Sequence, residues 1–355
     1  MADKLYAESI RIIQMKKNEL AERIFQLQMQ RNLRLDEGYT PYQKSKCLQD
    51  ALYNLEYIAE SLSMDSDEIW INYLNWLKTL LITLGVKASD IAEHMLIISE
   101  VLEEYLSEHD LDKIRKLIEI AVKIFYNQDV ELRQSLDKGN PRYTEAKRYM
   151  NLLLSSRRND AIQYMMSLAS DKHAIRDIYL NILQPVQREI GFLWHTHKIS
   201  VAQEHYCTGV TQLLIAQFYP LIFDATDKDL KLVGTCVSGE LHEIGLRMVS
   251  DIMEIDGWDT VYLGANMPNG GILETIARER ADLVAISVTF PLNLHKAEDL
   301  IAKIRANSDT AKTKIMVGGY PFLTDAGLWK KIGADAYAID ASMADSVARK
   351  LVKGF

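Results

Sequence analysis

The sequence predicts helices alone through about residue 223 and then a doubly wound, five-stranded parallel sheet. Three observations carry this. Apolar residues recur at helical spacing from Leu5 onward with almost no β-branched alternation. A polar stretch, NQDVELRQSLDKGNP (127–141), holds Gly139 and Pro141 and interrupts that pattern. From about Asp229, short β-branched runs alternate with helical stretches, as parallel α/β sheets require. At roughly 150 residues per domain the chain has room for two to three units, and we place them at 1–128 (helical), 141–224 (four-helix bundle) and 229–355 (α/β).

In order, the first helix is expected over about 5–29, and RLDEGYTPYQ (34–43) breaks it with Gly38 and Pro41. Helical pattern resumes through Leu48, Leu52, Leu55, Tyr57 and Leu62. Asp65 is expected to open the next helix, capping it together with Glu68, with Trp70, Tyr73, Leu74, Leu77, Leu80 and Leu81 as the inward stripe. Gly85 ends it, and helices over 89–108 and 111–126 complete the domain. The bundle reads as helices over 143–155, 159–169, 173–194 and 201–223, the last opened by a Ser200/Gln203 capping box. The strands are LKLVGTCV, DTVYLGA, DLVAISVT, TKIMVGG and ADAYAID.

Composition removes several function classes. A formal charge of −8 repels phosphate backbones, so neither nucleic acid nor a membrane surface is an expected partner. Cys47, Cys207 and Cys236 share no metal-binding spacing and cannot all pair, which suits a reducing cytoplasm. The N-terminus has no export core, and LKTLLITLGV (77–86) is too short to span a bilayer.

The chemistry sits at the strand ends, where open α/β sheets bind ligands. Directly after the first strand comes SGELHEIG, with Glu240, His242 and Gly245 spaced Glu-x-His-x-x-Gly behind Ser238, Gly239 and Leu241. A carboxylate two residues before a histidine can accept its Nδ1 proton and leave Nε2 to ligate a metal. Gly245 lets a bulky ligand approach the backbone; Ser287 and Thr289 end the third strand, Gly318 and Gly319 the fourth. Taken singly, these are also what turn glycines and a surface histidine look like.

Together, this pattern resembles the cobalamin-binding domain of methionine synthase, corrinoid methyltransferases and B12-dependent regulators, a flavodoxin-like fold. The resemblance implies cobalamin with its benzimidazole displaced into a slot near Ser287 and Gly318-Gly319, and His242 as the lower cobalt ligand. The family often has Asp where this chain has Glu240. In WHTHKISVAQEHY (194–206), Trp194 and Glu204-His205 stand at the spacing seen in the bundle of B12-dependent photoreceptors of the CarH type. That resemblance implies Trp194 over the upper corrin face, Glu204 and His205 around an adenosyl group, and His195 as the upper cobalt ligand after light. Adenosylcobalamin is then favoured over methylcobalamin. A core tryptophan and a solvated helical turn are the plainer reading of the same residues.

The first 128 residues lack the DNA-reading domain of such repressors. They resemble a globin-like sensor domain, mainly through WINYLNWLKTLLITLGV (70–86) and the aromatics Tyr53, Tyr57, Trp70, Tyr73 and Trp76. His94 and His109 lack a confirming haem motif, so a satisfied or exposed histidine is expected at both. The three-part layout is similar to the photocobilins, which implies biliverdin as a second chromophore, held non-covalently rather than by Cys47. The expected function is a light sensor in which cobalt–carbon photolysis rearranges domains or a homodimer and signals to a protein effector. The alternatives are a corrinoid methyl carrier of a methyltransferase system, which needs only the Glu240–His242–Gly245 motif and a bundle, or a light-independent cobalamin sensor.

Overall fold

The computed structural model describes residues 6–126, 135–223 and 228–354. Leu5 and the stretch 127–134 of the expected boundary lie outside the described residues. The chain divides into two compact units, Met1–Glu131 and Leu132–Phe355.

Among its described residues the first unit holds six helices: α1 (Ala7–Arg31), α2 (Leu33–Gly38), α3 (Pro41–Met64), α4 (Asp67–Thr83), α5 (Ala88–Glu103) and α6 (Glu108–Tyr126). Leu20, Ile24, Leu55, Trp70, Ile98 and Leu117 are buried at its centre, and the Trp70 indole donates to Leu117 O (2.9 Å). Asp65 does not open α4. It closes α3 in the left-handed conformation (φ 43°), and Ser66 is the residue before α4. A short polar side chain tolerates that conformation, so tertiary packing decided between a start and a stop signal that look alike in sequence. Gly85, at φ +80°, closes the far end as expected. His94 is a satisfied core histidine between Gln28 (2.9 Å) and Asn54 (3.1 Å), while His109 is exposed.

The second unit begins with a bundle of α7 (Tyr143–Leu154), α8 (Arg158–Leu168), α9 (Lys172–Ile178), α10 (Gln184–His195) and α11 (Val201–Ile222). A π-helical turn, Tyr179–Leu183, joins α9 to α10 into the single long helix expected over 173–194. Both bonds of the Ser200/Gln203 capping box are present. The α/β part follows as β1 (Leu230–Val237), α12 (Ile244–Ile255), β2 (Trp258–Met267), α13 (Asn269–Glu279), β3 (Leu283–Ser287), α14 (Leu294–Ala306), β4 (Lys314–Gly318), α15 (Tyr320–Thr324), α16 (Leu328–Lys331), β5 (Ala336–Tyr337) and α17 (Ala341–Lys353). All strands pair in parallel in the order β2-β1-β3-β4-β5. The order reverses between β1 and β3, so the loops leaving those two strands diverge and open a crevice.

The bundle and the sheet share a layer, α12. Tyr179 in the π turn donates to Asp251 (2.8 Å), Arg176 on α9 pairs with Asp256 (2.5 Å), and Met248 and Ile252 enter the bundle's core. Among the described residues no helix is long and apolar enough to cross a membrane.

Candidate functional site

β1 is buried along nearly its whole length, as a central strand covered on both faces must be. It delivers Ser238 and Gly239 to a turn in which Gly239 takes φ +81°. Glu240, next in line, turns back into the crevice and is fully buried. Its Oε1 accepts from the Nδ1 (2.6 Å) and backbone N–H (3.1 Å) of His242. Its Oε2 accepts from the backbone N–H groups of Thr289 (2.9 Å) and Phe290 (2.8 Å) and from Asn293 Nδ2 (3.2 Å). One carboxylate thus ties the loop after β1 to the loop after β3 across the point where strand order reverses.

Burial alone would raise the Glu240 pKa, but the bonds from His242, Phe290 and Thr289 outweigh it and hold the carboxyl down to about 2. An ionised carboxylate only accepts, so Nδ1 of His242 carries the proton and the neutral ring keeps its lone pair on Nε2. The same bond raises the His242 pKa against the opposing effect of burial, with further help from the charges of Glu240 and Glu204. The His242 side chain is 64% exposed. The expected carboxylate–imidazole pair is therefore formed, with the ligating nitrogen turned from its partner.

Three further residues, not singled out by sequence, hold this loop. Asn266, at the end of β2 and at φ 53°, donates its backbone N–H to Glu240 O (2.9 Å) and accepts from Gly239 N–H (2.7 Å). Asn293 is buried beneath Glu240. Glu243 accepts from Tyr262 Oη (3.0 Å), Ala265 N–H (2.9 Å) and Gln212 Nε2 on α11 (3.0 Å). The spacing Glu-x-His-Glu contains a second carboxylate, the one signal that could have pointed to it.

Cys236, Ser287 and Gly318 are register partners across β1, β3 and β4, so they form one row on one face of the sheet. Burial pushes the Cys236 thiol up to about 12, which leaves it a neutral lining group. α12 covers the same face two residues earlier: a Cβ on Gly234 would stand 2.7 Å from Ser250 Oγ. That hydroxyl is buried with no hydrogen-bond partner. At the mouth, a Cβ on Gly245 would meet nothing within 4 Å. Gly319 differs in kind. At φ +114°, its Cβ would lie 1.9 Å from Val288 O, so the close approach it permits is that of the chain's own backbone. Beside Gly318 the nearest atom is Ala338 O at 3.7 Å.

Leu241 (72%), Phe290, Tyr320 and Ile339 are exposed apolar side chains at the carboxyl ends of the strands, an apolar rim of the kind that lines ligand sites. Among the described residues no three His, Cys, Asp or Glu side chains gather as a metal site. A lone imidazole with a carboxylate behind it suits a metal that a macrocycle already chelates, and the open glycine, the orphan hydroxyl and the apolar rim fit a large flat ligand.

Trp194 and His195 end α10, both partly buried. Glu204, in the first turn of α11, accepts from Thr208 Oγ1 (2.9 Å) and pairs with the exposed His205. Its charge contributes to the raised pKa of His242, and farther along the same helix Gln212 bonds Glu243 in the loop after β1 (3.0 Å). His197 is exposed and left-handed (φ 56°).

Residues 230–344 match the B12 binding domain family, and residues 145–218 match a second family of B12 binding domains. Dimethylamine corrinoid protein 3 of Methanosarcina acetivorans is 33% identical over 165 residues, 46% of this chain and 74% of that protein. Dimethylamine corrinoid protein 3 of Methanosarcina mazei is 32% identical over 129 residues, 36% of this chain and 75% of that protein. Among solved structures, the Methanosarcina barkeri monomethylamine corrinoid protein superposes over 60% of this chain and all of its own, with a TM-score of 0.50 and 19% identity, a likeness of fold.

Proposed function

The chain belongs to the corrinoid-protein family and carries its B12-binding domains, and on that premise we propose that it is a methyl carrier serving a methyltransferase that acts on a methylated amine. The observation that carries the reading is the Glu240–His242 pair in a chain whose relatives are methylamine corrinoid proteins. When bound, the corrinoid supplies a cobalt that accepts and returns a methyl group. The chain's own residues do the rest. His242 Nε2 would ligate the cobalt, while Glu240 fixes the ring's tautomer and anchors the loop. Ser250, Ser287 and Gly318 would take the ligand's tail between the sheet and α12, with Gly245 at the entrance. Trp194, Glu204 and the bundle end would cover the bound group and keep water from it. Three free thiols fit a reducing cytoplasm.

This makes the alternative reading the main one. Light as the stimulus, adenosyl as the upper group, a homodimer as the switch and biliverdin in the first unit now rest on resemblance alone. Tyr57 and Tyr73, offered for a bilin pocket, stack on each other at 3.8 Å within the core. The second reading keeps the spacing of Trp194 from Glu204 and His205, which open the helix whose Gln212 bonds Glu243 in the loop after β1 (3.0 Å).

The test is absorption spectroscopy, in darkness, of the cobalamin-loaded chain first reduced to the cob(I) state by a titanium(III) reductant, with a methylamine methyltransferase and its substrate, whose demethylated amine leaves as cobalt takes the methyl group. Conversion to the methylated cofactor is expected. A spectrum that stays constant in darkness and changes only under green light would return the light-sensor reading to first place.

A further inference from the structure

The helices of the bundle alternate in direction, and their hydrogen bonds show which ends meet. Asn140 and Arg142, at the start of α7, bond Asn181 O (3.0 Å) and Asp177 (2.7 Å). Seven residues beyond Arg142, Tyr149 bonds Thr211 (3.0 Å), which also bonds Gln187 (2.6 Å). α7 therefore runs parallel to α9–α10, and its junction with α8 lies at the end of the bundle that carries Trp194 and Glu204.

Along α7 and α8 runs an open groove of about 780 Å³. Lys147, Arg148 and Arg157 line it against a single carboxylate, Asp160. Two of the cations are held by rings: the Arg148 guanidinium lies 4.1 Å from the Tyr164 centroid and the Lys147 ammonium 5.6 Å from that of Tyr143. Among the described residues neither meets a carboxylate, whereas Arg157 bonds Asp160 at 2.8 Å. A second recess of about 370 Å³ shares Gln163 and adds Arg158. In a chain of net charge −8 this is a local reversal of sign. A guanidinium stacked on a tyrosine keeps its N–H edge free for a carboxylate, and the ring limits the entropy lost on pairing.

We propose that this groove docks an acidic, Asp/Glu-rich segment of a protein partner, seating that partner beside the Trp194 end of the bundle. The groove is far larger than one phosphate, and a net negative chain opposes nucleic acid. Docking needs no cofactor; only the partner's purpose rests on the methyl-carrier reading.

The test is fluorescence anisotropy of a labelled decaglutamate peptide with the full, cobalamin-loaded chain at low ionic strength. Decaglutamine serves as the control, and inorganic phosphate and oligothymidylate as competitors. The glutamate peptide is expected to bind, and the double variant Lys147→Glu/Arg148→Glu to weaken it at least about tenfold while cobalamin uptake is unchanged. Arg148→Gln alone, the milder variant, must move affinity in the same direction. Equal binding of decaglutamine, or affinity within about twofold in both variants, would overturn the proposal. So would full displacement by phosphate or oligothymidylate at the peptide's own concentration, which would make the groove a small-anion or nucleic-acid site. Peptide binding without methyl transfer in the spectroscopic assay would sink the carrier reading and leave the docking site standing.

Discussion

Replacing Glu240 by glutamine should weaken cobalamin binding and move its pH dependence, because one side chain does two jobs. The carboxyl is held at about 2 against an ordinary 4.5, a displacement that corresponds to about 3 kcal/mol in favour of the ionised folded state. Since the folded value is depressed, that stability is present above pH 4.5 and is lost as pH falls from there toward 2. Glutamine keeps one acceptor oxygen and brings an NH2 group that must face either the His242 Nδ1–H or the N–H groups of Thr289 and Phe290. Either choice sets donor against donor, at a cost of about 1–3 kcal/mol. The His242 ring, raised by the carboxylate, should fall back toward its ordinary value. A ligating nitrogen must be free of its proton, so binding weakens as pH drops through the ring's pKa, and in Glu240→Gln that decline should begin at lower pH. Above it, loss of the orienting carboxylate should cost roughly 10–100-fold in affinity. The assay is titration with cobalamin followed by absorption from pH 5 to 9, with His242→Ala alongside. Unchanged affinity and an unchanged pH midpoint in Glu240→Gln, or full lower-face ligation in His242→Ala, would refute the reasoning.

The glycines separate fold from site. Gly319→Ala should destabilise the second unit by at least about 3 kcal/mol in denaturant unfolding, since φ +114° and a contact of 1.9 Å leave no room; Gly245→Ala should stay within about 0.5 kcal/mol of the parent yet bind cobalamin more weakly. Burial raises the Asp251 pKa to about 6, so the folded chain bears a cost that grows as pH rises from 3.8 through 6; thermal melts of Asp251→Asn should show a gain of about 1–3 kcal/mol at pH 8 and little at pH 4. Burial lowers the His94 pKa to about 4, so stability present above pH 6.5 should drain as pH falls toward 4, read from the fluorescence of Trp70 and Trp76 and absent in a His94→Gln variant.

Much was legible in the residues themselves. LKLVGTCV is β1 residue for residue, because a continuous β-branched apolar run bounded by turn residues fits a strand buried on both faces and little else. Ser200/Gln203 capped α11 because both bonds are local, and Glu240–His242 paired because two residues suffice to bring the groups together. The methyl-carrier and light-sensing readings share those residues, and the relatives, rather than the spacing, favour the first.

Helical and strand periodicity, the Ser200/Gln203 cap and the short motif were thus determined by the sequence alone, since each depends on neighbours within a few positions. Tertiary structure decided the rest. It closed α3 at Asp65, inserted the π turn that carries Tyr179 to Asp251, and brought Thr289, Phe290 and Asn293 under Glu240 from about 50 residues away. It also set Val288 against Gly319 and Gln212 against Glu243. Those contacts follow from the order in which the strands assemble and from how α12 packs between bundle and sheet, and a non-local packing arrangement leaves no periodic mark in the chain.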